Sequence, residues 1–577
     1  MQGLMMNMPL TIPTLIGHAD RWHPRTEIVS RLPEGVIHRY GWRDAHRRAR
    51  RLANALAALG VGNGDRVATL AWNTHRHVEL YYAVSGSGAV CHTVNPRLFP
   101  EQVEWIVNDA ADACLFFDVT FLKLVEAIAP RCPGVRAWIA MTGRAHMPAS
   151  SLQLLCYEDL VEAGDEAFEW PVQDERCASS LCYTSGTTGN PKGALYSHRS
   201  TVLHSFASCT PDGFGLSSRE VVLPVVPMFH VNAWGTPYAA AMAGAKLVLP
   251  GPNLDGASLY ELIESEKVTI ALGVPTVWLA LLQHMDRNNL TFSTLERVVI
   301  GGAAAPPAMI RTFRERHRVT AIHAWGMTEL SPLGTVNNLL PKHLALTPEE
   351  CDVVREKQGR PLYGVDLRIA GPDGSEAAHD GVAFGDLQAR GHWVIERYFG
   401  IDGASPLRDG WFPTGDVSTI DADGYMKITD RSKDVIKSGG EWISSIDIEG
   451  LAMAHPAVAE AAVIGVKHPK WDERPLLVVV VKAGCTLTRE ELLGSLEGKI
   501  AKWWMPDDVL FVDELPHGAT GKVLKTKLRE LYGNRDSAAI SQTGNPPAAE
   551  ANGGSYVSPQ LASRSRRHLR LTRGRTR

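Results

Sequence analysis

The sequence lacks paired cysteines. Its nine cysteines (Cys91, Cys114, Cys132, Cys156, Cys177, Cys182, Cys209, Cys351 and Cys485) are scattered and include no C-x-x-C. That spacing suits reduced thiols better than a disulfide framework or a zinc site. Long apolar runs are also missing. The longest, 238–250, is broken by Gly244 and Lys246 and is too short to cross a bilayer. The opening MQGLMMNMPLTIPTLIG has no basic n-region and carries two prolines, unlike a signal peptide. A cytoplasmic location is therefore expected. Net charge is only −4, but residues 535–577 hold eight arginines against two acids. The remainder has 51 basic and 61 acidic residues, so the body is acidic and nucleic acid is a poor partner for it.

What is present is ordinary globular composition, 45% hydrophobic and 21% charged over 577 residues, enough for more than one domain. Residues 42–59 place Leu52, Ala55, Leu56 and Leu59 on one helical face with arginines opposite. Predicted strands at 66–72, 90–94, 113–117 and 179–183 alternate with predicted helices at 75–85, 100–110 and 121–128. A loop is expected over 142–175. Strands alternating with helices imply βαβ units and parallel sheet, an α/β class. Further strands are expected at 298–300, 321–324 and 425–429. Residues 446–454 and 488–502 read as helices and 460–467, 476–482 and 509–512 as strands of a compact α+β unit. From Gly533 the composition turns to Ser, Ala, Gly, Pro and Arg, and 536–577 reads as a disordered, solvated tail.

The chain is organised around LCYTSGTTGNPKG, residues 181–193. Thr184, Ser185, Thr187 and Thr188 supply hydroxyls, Gly186, Gly189 and Gly193 supply tight turns, and Lys192 supplies a charge. Glycines let backbone N–H groups approach an anion, and hydroxyls with an ammonium complete a phosphate cradle. The order is not that of a Walker A loop, because Pro191 precedes the lysine and Gly193 follows it. Downstream, VLPVVPMFHVNAWGTPY (222–238) spaces His230 and Trp234 at i and i+4. A helix starting near His230 would set both on one face. On the residues alone, a core aromatic and a satisfied histidine are the ordinary outcome.

Four more segments extend an ordered set: Gly301-Gly302-Ala303, Trp325-Gly326-Met327-Thr328-Glu329, Thr414-Gly415-Asp416, and Asp430-Arg431-Ser432-Lys433 leading to Lys437 and Gly439-Gly440-Glu441-Trp442. The last motif is Thr520-Gly521-Lys522. Together these resemble the adenylate-forming enzymes: acyl-CoA synthetases, luciferases and peptide-synthetase adenylation domains. The resemblance covers about residues 10–533 and is nearest to medium-chain fatty-acyl-CoA synthetases. It implies a large N-terminal domain of βαβ layers with a β-subdomain (1–429), a hinge at 430–433 and a small mobile α+β domain (430–535).

The same resemblance implies roles. Thr184–Gly189 and Lys192 would hold ATP phosphates. Trp325, in place of the usual tyrosine, would stack on adenine, with Gly326, Met327, Thr328 and Trp442 beside the nucleotide. Asp416 would accept from the ribose hydroxyls and Arg431 would reach the ribose or α-phosphate. Glu329, with Thr184, would hold Mg²⁺, to which a hard carboxylate oxygen is suited. Lys522 would catalyse adenylation, while His230 and Lys437 would serve the thiol step. His230, Trp234, Gly301, Gly302, Ala303, Trp325 and Pro332 would line the acyl pocket. The amino-acid-activating members of that family carry an aspartate here, none lies in 222–238, and leaving an ammonium unpaired costs several kcal/mol, so amino-acid substrates are not expected. The expected partners are a carboxylic acid, ATP and CoA, and the resemblance implies a homodimer. Competing readings are a 3-(methylthio)propionate or long-chain acyl-CoA ligase, a carrier-loading adenylating enzyme, a luciferase-like oxygenase and a non-catalytic nucleotide binder.

Overall fold

Strands such as Asp112–Phe117 and Val90–Thr93 are buried at every position, and helix His75–Gly86 is buried all round. Elements with no solvent face must lie between layers. In the computed structural model, which describes residues 1, 3–184, 190–371, 373–401, 403, 405–438, 441–517 and 523–533, they do.

Two large sheets dominate. The seven-stranded sheet runs in the order Leu154–Cys156, Ala137–Ala140, Asp112–Phe117, Arg66–Leu70, Val90–Thr93, Ala178–Tyr183 and Gly193–Ser197, parallel except for its last strand. A nine-stranded sheet has at its centre the parallel strands Thr320–Gly326, Arg297–Ile300, Ile270–Gly273, Val221–Pro224, Lys246–Leu249 and Glu27–Arg31. Helix His75–Gly86 packs with residues of both sheets in one apolar core. Its charged residues are buried because each has a partner. Arg76 binds Glu34 and Glu158 at 2.8 Å, and Glu79 takes Arg48 at 2.8 Å and the Tyr157 hydroxyl at 2.7 Å. Paired in this way, the ions avoid the cost of an isolated buried charge.

An antiparallel four-stranded sheet, Val365–Ala370, Phe384–Gly391, Phe412–Ile420 and Met426–Arg431, follows. The chain then enters a five-stranded mixed sheet with helices Ser445–Met453 and Arg489–Leu496, whose core is separate. The junction is specific: Asp430 accepts the Ser445 N–H at 2.7 Å, so the last strand of one sheet caps the first helix of the next unit. All nine cysteines are free thiols.

Three expectations need correction. The supposed loop 142–175 contains strand Leu154–Cys156 and helix Tyr157–Ala163. The strand is only three residues long, and the helix carries Glu158 and Asp159, which serve its N-terminus and Arg48 rather than an apolar stripe. The helix expected over 488–502 ends at Leu496, because Glu497 leaves helical geometry and Gly498 takes φ +73°. The third concerns His230. Val231, Asn232, Ala233 and Trp234 all have positive φ, from 43° to 56°, so the segment after His230 is a left-handed turn. A right-handed helix placing His230 and Trp234 on one face does not form there. Residues 536–577 lie outside the described residues.

Candidate active site

The motifs at 184–192, 225–238, 301–303 and 325–329 lie at or just beyond the carboxyl ends of strands of the two large sheets, where open α/β sheets place their ligands, while Thr414-Gly415-Asp416 lies within the antiparallel strand Phe412–Ile420. Strand Ala178–Tyr183 ends at Thr184, whose hydroxyl accepts the Lys192 N–H at 3.0 Å while its own N–H donates to the Lys192 carbonyl at 2.9 Å. These two bonds pinch the base of the glycine-rich stretch. Ser185, Gly186, Thr187, Thr188 and Gly189 themselves lie outside the described residues, as does Lys522.

The Lys192 ammonium stands 5.0 Å over the Tyr398 ring, and the Tyr398 hydroxyl donates to Glu329 Oε1 at 2.7 Å. Glu329 is buried on the short 3-10 turn Thr328–Leu330, which the Tyr196 hydroxyl fixes by donating to the Thr328 carbonyl at 2.5 Å. Burial pushes the Glu329 carboxyl up from the usual range. The Tyr398 hydrogen bond and the charges of Arg431 and Lys192 partly offset that. Lys192 is linked to Glu329 through the Tyr398 ring and its hydroxyl, and Arg431 pairs with Asp416. Tyr398 takes only Oε1 of Glu329, and a buried hard carboxylate oxygen suits Mg²⁺, which takes one or two protein oxygens.

The turn that carries Glu329 depends on Gly326. A Cβ there would lie 2.0 Å from the Pro332 carbonyl oxygen, to which the Met327 N–H donates at 2.9 Å. Trp325, just before it, is buried. Its indole N–H donates to Asp416 Oδ2 at 3.0 Å, and Arg431 Nε meets Asp416 Oδ1 at 2.9 Å. Asp416 and Arg431 are cross-strand partners, and the left-handed Gly415 (φ +76°) turns the chain into them.

On the acyl side, Trp234 rests on the Gly301 backbone. A Cβ at 301 would sit 2.9 Å from its ring and 3.0 Å from the Ala324 carbonyl oxygen. Gly302 and Ala303 are exposed beside it, and Pro332 is buried. His230 is half-buried and precedes the left-handed turn. That turn is held by Asn232, which donates to Ser180 Oγ at 3.0 Å, and by Tyr82, whose hydroxyl donates to the Pro237 carbonyl at 3.0 Å. Asn73 clamps the approach to His230, donating to the carbonyls of Pro224 and Val226 and accepting the Met228 N–H at 2.7 Å.

Lys437 is exposed on strand Ile436–Ser438, and the Trp442 side chain lies outside the described residues. Helix Lys525–Tyr532, just beyond Lys522, is anchored by Lys525, whose ammonium binds Glu449 at 2.6 Å, and by an Arg529–Asp434 pair. Sequence reading missed Tyr398, Asn73, Asn232 and Lys525. Only Asn232 sits inside a segment that the motifs had marked.

The sequence model of the AMP-binding enzyme family matches residues 17–399, and that of the AMP-binding enzyme C-terminal domain matches residues 447–522. Two bacterial relatives cover 99% and 100% of their own length. The 3-methylmercaptopropionyl-CoA ligase of Ruegeria lacuscaerulensis is 58% identical over 92% of this chain. The medium-chain-fatty-acid–CoA ligase of Ectopseudomonas oleovorans is 53% identical over 94% of it. Among solved structures, the anthranilate CoA ligase AuaEII in complex with anthranoyl-AMP superposes with a TM-score of 0.80 at 25% identity, covering 93% of this chain and 99% of that one. With both its large and its small unit matched, and with relatives aligned along their whole length, this chain belongs to the AMP-binding enzyme family.

Proposed function

We propose that the protein is an ATP-dependent acid–thiol ligase that activates a medium-chain fatty acid as its acyl-adenylate and passes the acyl group to CoA. The observation that carries this reading is the pair of linked groups, Lys192–Tyr398–Glu329 and Arg431–Asp416–Trp325, carried on one turn by the neighbouring Trp325 and Glu329, with the indole of Trp234 packed on Gly301. The first part suits a nucleotide from phosphate to ribose, and the second an uncharged acyl group.

In the first step a carboxylate oxygen attacks the α-phosphorus, the bond to the β-phosphate breaks, and pyrophosphate leaves. Two anions must meet, so the work is positioning and charge stabilisation. Lys192 and Arg431 would supply positive charge there, and Lys522 would join them from the small unit. Mg²⁺ held by Glu329 and the Thr184 hydroxyl would add positive charge at the phosphates. In the second step the CoA sulfur attacks the acyl carbonyl and AMP leaves. The thiol is largely protonated near neutral pH, and either a neutral His230 would take its proton or a nearby donor would stabilise the oxyanion. The segment 430–433 would let the small unit present Lys522 first and the Lys437 face second. Homodimeric assembly and a cytoplasmic location accompany this reading.

A second reading, a short thioether acid such as 3-(methylthio)propionate, is favoured by the higher identity to the Ruegeria ligase. Each buried methylene is worth about 0.8 kcal/mol, a few-fold in kcat/KM, so neighbouring chain lengths differ only modestly. The test is ATP- and CoA-dependent AMP release across aliphatic acids from three to eighteen carbons, with 3-(methylthio)propionate included. The proposal expects a maximum at medium chains. A maximum at the thioether acid favours the second reading, and no AMP release with any of the acids refutes both.

A further inference from the structure

We propose that Trp325 is a positioning residue for the nucleotide's sugar: its buried indole N–H holds the Asp416 carboxylate oriented to receive a cis-diol. The inference rests on the nucleotide-site reading above and gives Trp325 a task distinct from stacking on the base.

A carboxylate offers about four lone-pair directions on its two oxygens. In Asp416 one direction on Oδ2 is taken by the indole at 3.0 Å and one on Oδ1 by Arg431 Nε at 2.9 Å. Each oxygen therefore keeps a further acceptor direction, the one-per-oxygen count that two vicinal hydroxyls require. The two donors are not equivalent. The Arg431 side chain is 49% exposed, so water and salt compete with its pairing. Trp325 is only 7% exposed, and its bond to the carboxylate is dry.

The indole is also fixed in place. A Cβ on Gly334 would lie 2.4 Å from its Cζ3, so the ring edge sits on bare backbone, and Leu330 closes in beside it. Indole nitrogen donates only, so it cannot turn and compete with Asp416 for the sugar's protons. A tyrosine hydroxyl could do both. The bond also ties strand Thr320–Gly326 of the large sheet to strand Phe412–Ile420 of the antiparallel sheet, fixing the carboxylate relative to the turn that bears Glu329.

Calorimetric binding of AMP and of 2′,3′-dideoxy-AMP tests this without any acid substrate. Trp325→Phe keeps an aromatic face and loses the N–H. It should bind AMP about ten-fold more weakly, the size of one charge-assisted hydrogen bond, while dideoxy-AMP changes by no more than about two-fold. Combining it with Asp416→Asn should cost no more than Asp416→Asn alone. Gly334→Ala, which leaves Trp325 intact but unseats its ring, should reproduce the diol-selective loss and covers the case in which Trp325→Phe folds poorly. Equal losses for both nucleotides in both variants overturn the proposal in favour of stacking or general packing. Unchanged AMP binding in Trp325→Phe while Asp416→Asn is impaired overturns it alone. Unchanged binding in Asp416→Asn overturns the nucleotide-site reading as well.

Discussion

Asp118 has no exposed surface. It accepts the Trp72 N–H at 2.6 Å through one oxygen, while the other oxygen has no partner. Burial lifts its carboxyl from an ordinary 3.8 to about 7. The native state therefore holds a proton that the unfolded chain gives up first. Stability from this group is full below 3.8, declines as pH rises, and is lost above about 7. His77, His198, His204 and His323 act in the opposite sense: burial lowers each to about 4, so stability falls as pH drops from 6.5. Because the two windows overlap, the difference between variants is the readout. Asp118→Asn should be more stable than the parent by on the order of 2 kcal/mol at pH 8 and unchanged at pH 4. Denaturant unfolding at both pH values measures it, and an equal effect at both contradicts the assignment. At this scale the sequence singled out as candidates residues that lie in ordered motifs, such as Glu329, Asp416 and Arg431. It did not disclose Tyr398, because its partner Glu329 is 69 positions away and a lone tyrosine carries no periodic signal. Asn73 was hidden for the same reason, since it acts on residues more than 150 positions distant.

The left-handed turn Val231–Trp234 shows why an element can be misread. FHVNAW spaces His230 and Trp234 as a right-handed helix would, and only the chain's path between Pro227 and Gly235 decides otherwise. Non-glycine residues at positive φ cost roughly 1–2 kcal/mol each. Here the cost is offset by tertiary bonds, chiefly from Asn232 to Ser180 and from Tyr82 to Pro237. Asn tolerates this backbone region better than most residues, so its side chain and its φ of 53° serve the same end. Asn232→Gly should lose the side-chain bonds but keep the backbone, and Asn232→Ala should lose both. Stability should therefore fall in the order parent, glycine, alanine, with alanine about 1–3 kcal/mol below the parent. Thermal unfolding checks the order, and alanine matching or exceeding glycine would show that the backbone conformation there is not strained. The parallel strands were easier to read, since burial on both faces writes itself as a continuous apolar run. Strand Leu154–Cys156 and helix Tyr157–Ala163 were not, being short and partly charged.

At the scale of the whole molecule, two units meet where Asp430 caps helix Ser445–Met453, and Lys525 ties the segment after Lys522 to Glu449 in the same helix. The order of motifs already announced a large unit followed by a small one. The anchoring of Lys525 was not legible, because a lysine beside a glycine-flanked loop reads as solvated. If Lys522 serves adenylation alone, Lys522→Ala should lose acyl-adenylate formation by about a hundred-fold or more while still making thioester from preformed acyl-adenylate and CoA. Quenched-flow product analysis separates the two steps, and equal loss in both would refute that division. The central claim, that the acid is joined to AMP before it meets the thiol, has a direct isotopic test. With a carboxyl-¹⁸O-labelled fatty acid, one labelled oxygen bridges carbon and phosphorus and stays on phosphorus when sulfur displaces it. A single turnover should place one ¹⁸O in AMP and none in pyrophosphate. Unlabelled AMP accompanying thioester formation would contradict the account.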